Sequence, residues 1–168
     1  MQSIIYKGPG KFAIEDRPKP IIKKADDVMI KVLGVCICGT DINIFATPQK
    51  HPSRPGIIFG HEFCGQVVEV GEAVTSLKPG DKVIVDPHGP CGYCDACRAG
   101  LPEMCKNLYL DEPGLEGQAN AMGVFKDGGL TSYTLVPEKF AYKIAADTPA
   151  ELMRWQSRWH AVDIPLKS

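Results

Sequence analysis

The sequence lacks an excess of charge of either sign, and it lacks any long run of apolar residues. Its 19 basic and 20 acidic residues give a formal net charge of −1, so no electrostatic footprint favours nucleic acid or an anionic membrane surface. No stretch approaches the roughly 18 uninterrupted apolar residues typical of a membrane span. The opening residues, MQSIIYKGPGKF, also lack the apolar core of a signal peptide. We therefore expect a cytoplasmic protein without nucleic-acid or membrane partners.

Helical patterns are scarce before the C-terminal end, and most of the chain reads as strands between turns. Runs rich in β-branched residues, such as VMIKVLGV, GQVVEVG, KVIVDP and LTSYTLVP, alternate with turn signals such as GPG and LKPGD. The 17 glycines and 14 prolines are spread between these runs rather than gathered in one linker. The pattern predicts a mostly β barrel or sandwich.

The C-terminal segment DTPAELMRWQSRWHAV carries the clearest helical pattern. Thr148 suits an N-cap, Pro149 the first helical position, and Glu151 the third, which together form a capping box. Apolar residues then recur at helical spacing at Leu152, Trp155, Trp159 and Val162. We expect a C-terminal helix whose apolar face, if uncovered, would favour self-association.

Four of the seven cysteines lie within fifteen residues, at Cys91, Cys94, Cys97 and Cys105. In a reducing compartment such a cluster binds metal more readily than it forms disulfides, and an odd total argues against a fully paired framework. Four thiolates close a tetrahedral shell around Zn²⁺ and leave no position for a substrate. The spacing indicates a structural zinc site; an iron–sulfur cluster and four unlinked thiols are the alternatives.

A second group of metal-binding side chains lies upstream, in CICGTD and FGHEFCG. These segments supply Cys38, His61 and Glu62, which are a thiolate, an imidazole and a carboxylate. Such a mixed set leaves room for a water or an alcohol as a further zinc ligand. An open coordination position indicates catalysis.

Four stretches of the chain, in this order, resemble the zinc-containing medium-chain alcohol dehydrogenases, which include polyol, threonine and butanediol dehydrogenases. The stretches are CICGTDINIF, PGIIFGHEFCGQVVEVGEAV, KPGDKVIVDPHGPCGYCDACRAGLPEMC and GGLTSYTLVP. The resemblance covers roughly residues 1 to 145. It implies a GroES-like, partly open β-barrel with a zinc-binding lobe.

The resemblance also implies two zinc ions per chain. Cys38 and His61 would hold a catalytic zinc, with Glu62 as a third ligand or a carboxylate close to it, and the four clustered cysteines would hold a structural zinc. Thr40 matches the hydroxyl that accepts the proton of the substrate alcohol. Asp41 matches the carboxylate that orients the zinc-binding histidine. The implied reaction is hydride transfer from a small secondary alcohol or polyol to NAD(P).

The cofactor half of that reaction has no counterpart in the sequence, because no GxGxxG turn occurs in it. We expect residues 1–146 to form the GroES-like catalytic domain. Residues 147–168 would form a helix or tail where the cofactor-binding Rossmann domain would begin. The chain alone would then not bind NAD(P) tightly. The competing hypothesis is a non-enzymatic, zinc-stabilised binding or assembly module.

Overall fold

The computed structural model describes residues 1–149 and confirms that the chain is mostly β. Its strands are Gln2–Gly8 (β1), Lys11–Asp16 (β2), Asp27–Cys36 (β3), Glu62–Val70 (β4), Lys82–Val85 (β5), Tyr133–Pro137 (β6) and Ala141–Lys143 (β7). Two α-helices are Gly39–Phe45 (α1) and Asp95–Arg98 (α2), and short 3₁₀ turns cover Pro102–Met104 and Glu138–Phe140. The helix predicted after Thr148 and its apolar face lie outside the described residues.

The strands form one five-stranded sheet and one hairpin. The sheet has the order β6-β3-β4-β5-β7 with antiparallel neighbours, and β1 pairs with β2. The hairpin is tied in by backbone hydrogen bonds: Ile4 N–H donates to Leu130 O, and Phe59 N–H donates to Ile4 O, each at 2.9 Å. The architecture is therefore a set of open sheets, as in a partly open barrel. None of the described helices is long and apolar enough to cross a membrane.

The register of β3 against β4 brings two distant parts of the sequence together. Cys36 at the end of β3 pairs with Glu62 at the start of β4, after an irregularity between Val32 and Gly34 shifts the pairing. Irregularities of this kind redirect side chains at strand ends. Cys38, two residues beyond β3, is therefore placed beside His61.

Two hydrophobic clusters flank the start of β4. Phe59 belongs to one cluster and Phe63 to the other, and both side chains are fully buried. Because each aromatic anchor lies within two residues of His61 or Glu62, the segment between them is held from both sides.

Helix α1 begins immediately after β3 and was not among the sequence predictions. Cys38 is its N-cap: Cys38 Sγ accepts the Thr40 N–H at 3.3 Å, and Asp41 Oδ2 accepts the Cys38 N–H at 2.8 Å. This is a capping box in which cysteine and aspartate replace the usual serine and glutamate. Ile44 is fully buried in the cluster that contains Phe59, so the packing of α1 fixes the position of Cys38.

Candidate metal centres

The structure brings Cys38, His61 and Glu62 together. One ligand atom from each lies within 4.8 Å of the others. Cys38 Sγ is 3.2 Å from His61 Nε2, and His61 Nε2 is 4.0 Å from Glu62 Oε1. In a tetrahedral zinc site, bond lengths of 2.0–2.3 Å separate a sulfur and a nitrogen ligand by roughly 3.5 Å. The three groups are therefore spaced as one metal ion requires.

The other nitrogen of the His61 ring, Nδ1, faces Asp41, whose side chain is fully buried. His61 Nδ1 lies 3.2 Å from Asp41 Oδ1. The distance brings the carboxylate against this nitrogen, although the alignment of the two groups falls outside that of a hydrogen bond. A carboxylate on this nitrogen favours the tautomer whose Nε2 lone pair points at Cys38 and Glu62.

Buried polar atoms at this site test whether a metal fits. His61 is 6% exposed and Glu62 is 4% exposed. Glu62 Oε2 has no hydrogen-bond partner within residues 1–149. A buried carboxylate oxygen left without a partner costs free energy, and more so when charged. A divalent cation between these side chains would supply the missing partner, so the residues fit a zinc ion.

Burial also acts on the Cys38 thiol, whose pKa is raised chiefly by desolvation. Hydrogen bonds from the backbone of Asp41 and from the side chain and backbone of Thr40 offset part of this effect. The Thr40 N–H donates to this sulfur at 3.3 Å. Thr40, whose hydroxyl is predicted to accept a proton, is therefore held beside a predicted metal ligand.

The four clustered cysteines converge in a separate lobe, with all four sulfurs within 4.8 Å of one another. Cys97 Sγ lies 3.9 Å from Cys91 Sγ and 3.5 Å from Cys94 Sγ. A disulfide would need about 2.05 Å, whereas four sulfurs around one zinc ion at 2.3 Å stand roughly 3.8 Å apart. None of the seven cysteines forms a disulfide. The separations fit a four-thiolate metal site and exclude disulfides.

Backbone N–H groups point at these sulfurs. The Cys91 N–H donates to Cys105 Sγ, and the Cys94 N–H donates to Cys91 Sγ, each at 3.3 Å. Desolvation opposes ionisation of Cys91, but hydrogen bonds, first among them one from the Asn107 side chain, lower its pKa to about 5. Desolvation raises the pKa of Cys97 to about 11. Neighbouring thiols oppose one another's ionisation. A divalent cation stabilises all of them in the thiolate form.

Two glycines make the turns of this lobe. Gly92 and Gly100 have φ values of +84° and +78°, in the left-handed region that residues with a Cβ rarely adopt. Glycine at these two positions lets the chain bend tightly around the cysteines.

One further cysteine and two histidines belong to neither ligand group. Cys64 is fully buried, and its thiol donates to Gly34 O at 3.6 Å. His51 Nδ1 lies 2.7 Å from Pro52 O, and His88 Nδ1 lies 3.8 Å from Asp86 Oδ1.

Two surface clefts lie within the described part of the chain, and neither is lined by Cys38, His61 or Glu62. One, of about 540 Å³, is lined by residues that include Lys24, Lys126 and Lys139. The other, of about 630 Å³, is lined by residues that include Met1 and Tyr133. Neither cleft therefore offers a substrate pocket over the mixed-ligand centre.

Known proteins are similar to this chain in sequence and in fold. The family model described as the alcohol dehydrogenase GroES-like domain matches residues 24–146. L-threonine 3-dehydrogenase of Caldanaerobacter subterraneus subsp. tengcongensis is 39% identical over 133 residues, which are 78% of this chain and 35% of the relative. The crystal structure of galactitol-1-phosphate dehydrogenase from Escherichia coli aligns with a TM-score of 0.78 and 28% identity, over 92% of this chain and 41% of that one.

A zinc-dependent alcohol dehydrogenase from Streptococcus pneumonia is also similar. It aligns with a TM-score of 0.69 and 32% identity, covering 91% of this chain and 41% of that structure. The chain thus spans about two-fifths of the length of these relatives or less.

Proposed function

The chain belongs to the zinc-containing medium-chain alcohol dehydrogenase family, through the GroES-like domain that its residues 24–146 match. From this membership we propose that residues 1–146 are the catalytic domain of an enzyme that oxidises a small alcohol or polyol with NAD(P). The observation that carries the proposal is the convergence of Cys38, His61 and Glu62, of which His61 and Glu62 are buried. The relatives named for threonine and galactitol 1-phosphate support a hydroxylated small molecule as the substrate.

We assign the side chains of this centre distinct tasks. Cys38, His61 and Glu62 bind the metal through Sγ, Nε2 and a carboxylate oxygen. Asp41 holds the His61 ring from Nδ1, and the Thr40 hydroxyl accepts the proton of the substrate alcohol. A zinc ion bound here would supply Lewis-acid activation of the substrate's hydroxyl group. Burial of His61 and Glu62 limits the contact of these two ligands with bulk water.

A second zinc ion, held by Cys91, Cys94, Cys97 and Cys105, is proposed to be structural. Four thiolates complete the coordination shell, which leaves no position for a substrate. Reduced, metal-binding cysteines persist in a reducing compartment. This supports a cytoplasmic location for the protein.

The zinc content of the purified protein tests both sites. We expect elemental analysis of protein prepared without added metal to give about two zinc ions per chain. One zinc per chain would leave the mixed-ligand centre empty. The chain would then be a zinc-stabilised binding or assembly module, and the catalytic proposal would fail.

Residues 1–149 contain no dinucleotide-binding domain, and we propose that the chain is inactive alone. NAD(P) needs a glycine-rich turn between a strand and a helix, followed by an acidic residue that binds the ribose. We expect no NAD(P)-dependent oxidation of secondary alcohols above background, measured as NAD(P)H absorbance, with the two-zinc protein. Turnover that depends on enzyme concentration would contradict this expectation.

A further inference from the structure

Three glycines distant in sequence meet directly behind His61. Gly60 precedes the histidine, and Gly123 and Gly128 lie in the loop that connects the cysteine lobe to β6. This loop folds back on the segment before β4 through backbone hydrogen bonds. The Gly128 N–H donates to Ile58 O, and the Gly129 N–H donates to Gly60 O, each at 2.8 Å.

The packing between these glycines leaves no room for a side chain. A Cβ added to Gly123 would lie 2.3 Å from the carbonyl carbon and oxygen of Gly60 and 2.6 Å from His61 N. A Cβ added to Gly128 would lie 2.2 Å from Gly60 O and 2.5 Å from the Gly123 Cα. Contacts under 3.0 Å require the backbone to move. The loop therefore contacts the Gly60–His61 peptide backbone to backbone.

Gly60 is itself closely packed between the loop and Leu130. Its φ is +91°, a conformation that residues with a Cβ rarely adopt. Its carbonyl already accepts the Gly129 N–H, and a Cβ on Gly60 would lie 2.8 Å from the Leu130 side chain. A displacement of the loop would therefore also displace the backbone of His61, the next residue.

Metal coordination makes that displacement costly. Ligand distances in a metal site hold to within about 0.2 Å, and groups that orient a metal-binding histidine typically change metal affinity about 10–100-fold when altered. We propose that Gly123 and Gly128 are positioning residues for His61. Because they have no side chains, the loop backbone packs directly against the Gly60–His61 peptide and so fixes the position of the His61 ring. The inference rests on the proposed metal centre at Cys38, His61 and Glu62.

Gly128→Ala tests this inference, since Gly128 has an ordinary φ and alanine would add only a steric conflict. We expect the variant to keep one tightly bound metal and to bind the second at least about 10-fold more weakly. Competition with a chromophoric chelator would measure the affinity. Cobalt(II) substitution would show which centre is affected, because the visible absorption of a four-thiolate site differs from that of a mixed-ligand site.

Gly71→Ala is the matched control. Gly71 also has an ordinary φ, and a Cβ there would lie 2.3 Å from Ala25 O, at the far end of β4 from His61. We expect this variant to lose stability while keeping both metal ions and both cobalt spectra. Wild-type affinity and a wild-type mixed-ligand spectrum in Gly128→Ala would overturn the inference, as would the same weakening in Gly71→Ala.

If Gly128→Ala fails to fold, Leu130→Ala serves as the second test because it removes atoms that cover Gly60 and adds none. Its control is Leu77→Ala, which removes a buried leucine side chain in the connection between β4 and β5. We expect weaker binding at the mixed-ligand centre only in Leu130→Ala, and equal binding in both variants would overturn the inference. The proposed function fails separately, if the wild-type protein binds only the four-thiolate metal.

Discussion

Cys105→Ser is expected to remove one zinc ion per chain and to unfold the cysteine lobe. From residue 91 to residue 106, the only buried residues are Cys94 and Cys105, so no apolar core holds this segment together. Structural zinc binding in small domains contributes about 10–16 kcal/mol at neutral pH, and this free energy also drives their folding. Loss of one of four thiolates should therefore cost the lobe most of its stability.

Elemental analysis and limited trypsin digestion measure the two parts of this prediction. Arg98 and Lys106 are exposed cleavage sites inside the lobe, and we expect cleavage there to be faster in Cys105→Ser. Cys36→Ser is the control, because Cys36 lies outside both metal clusters, and it should keep the wild-type zinc content and digestion pattern. Retention of both zinc ions by Cys105→Ser would show that Cys105 is not a ligand.

The strands could be predicted from sequence because each is a short local pattern bounded by turn residues. β1 and β2 flank the turn at GPG, and β4 and β5 flank the turn at LKPGD, as expected. Hydrophobic alternation and turn chemistry act within a few residues, so one sequence suffices to detect them. The pairing order of the sheet depends instead on contacts between distant residues.

Helix α1 was missed because its capping signal uses unusual residue types. Cys38 takes the place of serine or threonine, and Asp41 that of glutamate or glutamine. The helix is only seven residues long, and one buried residue besides Asp41, Ile44, anchors it. Short helices of this kind are stabilised by tertiary packing rather than by intrinsic propensity. A search for thiol caps would have found this one.

The two proposed metal centres differ in how much of each is local in sequence. The lobe cysteines lie within fifteen residues, so their spacing alone indicates a shared ion. Cys38 and His61 are 23 residues apart, and they meet only because the β3–β4 register pairs Cys36 with Glu62. A slip of one residue would turn Glu62 to the other face of the sheet. Resemblance to a family supplied what local chemistry could not.

The glycines behind His61 show a further limit of sequence analysis. The stretch containing Gly123 and Gly128 reads as an ordinary loop, because glycine is common wherever chains turn. What distinguishes these positions is the absence of space for a Cβ beside Gly60, and that property belongs to the packed structure. A glycine that close packing requires does not change the hydrophobic periodicity of the sequence, so the pattern cannot reveal it.

Cys38→Ser is expected to lower the zinc content from two ions to one per chain without disturbing the fold. A serine hydroxyl is a much poorer zinc ligand than a thiolate. Serine is, however, a favoured N-cap and can accept the Thr40 N–H that Cys38 Sγ accepts now. The substitution thus separates metal binding from helix capping at a residue that does both.

The zinc that remains in Cys38→Ser should carry the four-thiolate cobalt spectrum, and far-ultraviolet circular dichroism should match that of the wild type. Cys38→Ala adds a comparison, because alanine removes the cap as well as the ligand and should cost about 1 kcal/mol of stability beyond the serine variant. Two zinc ions retained in both variants would mean that His61 and Glu62 hold the metal without Cys38. Loss of both ions would mean instead that the lobe depends on the mixed-ligand centre, and the two sites would then not be independent.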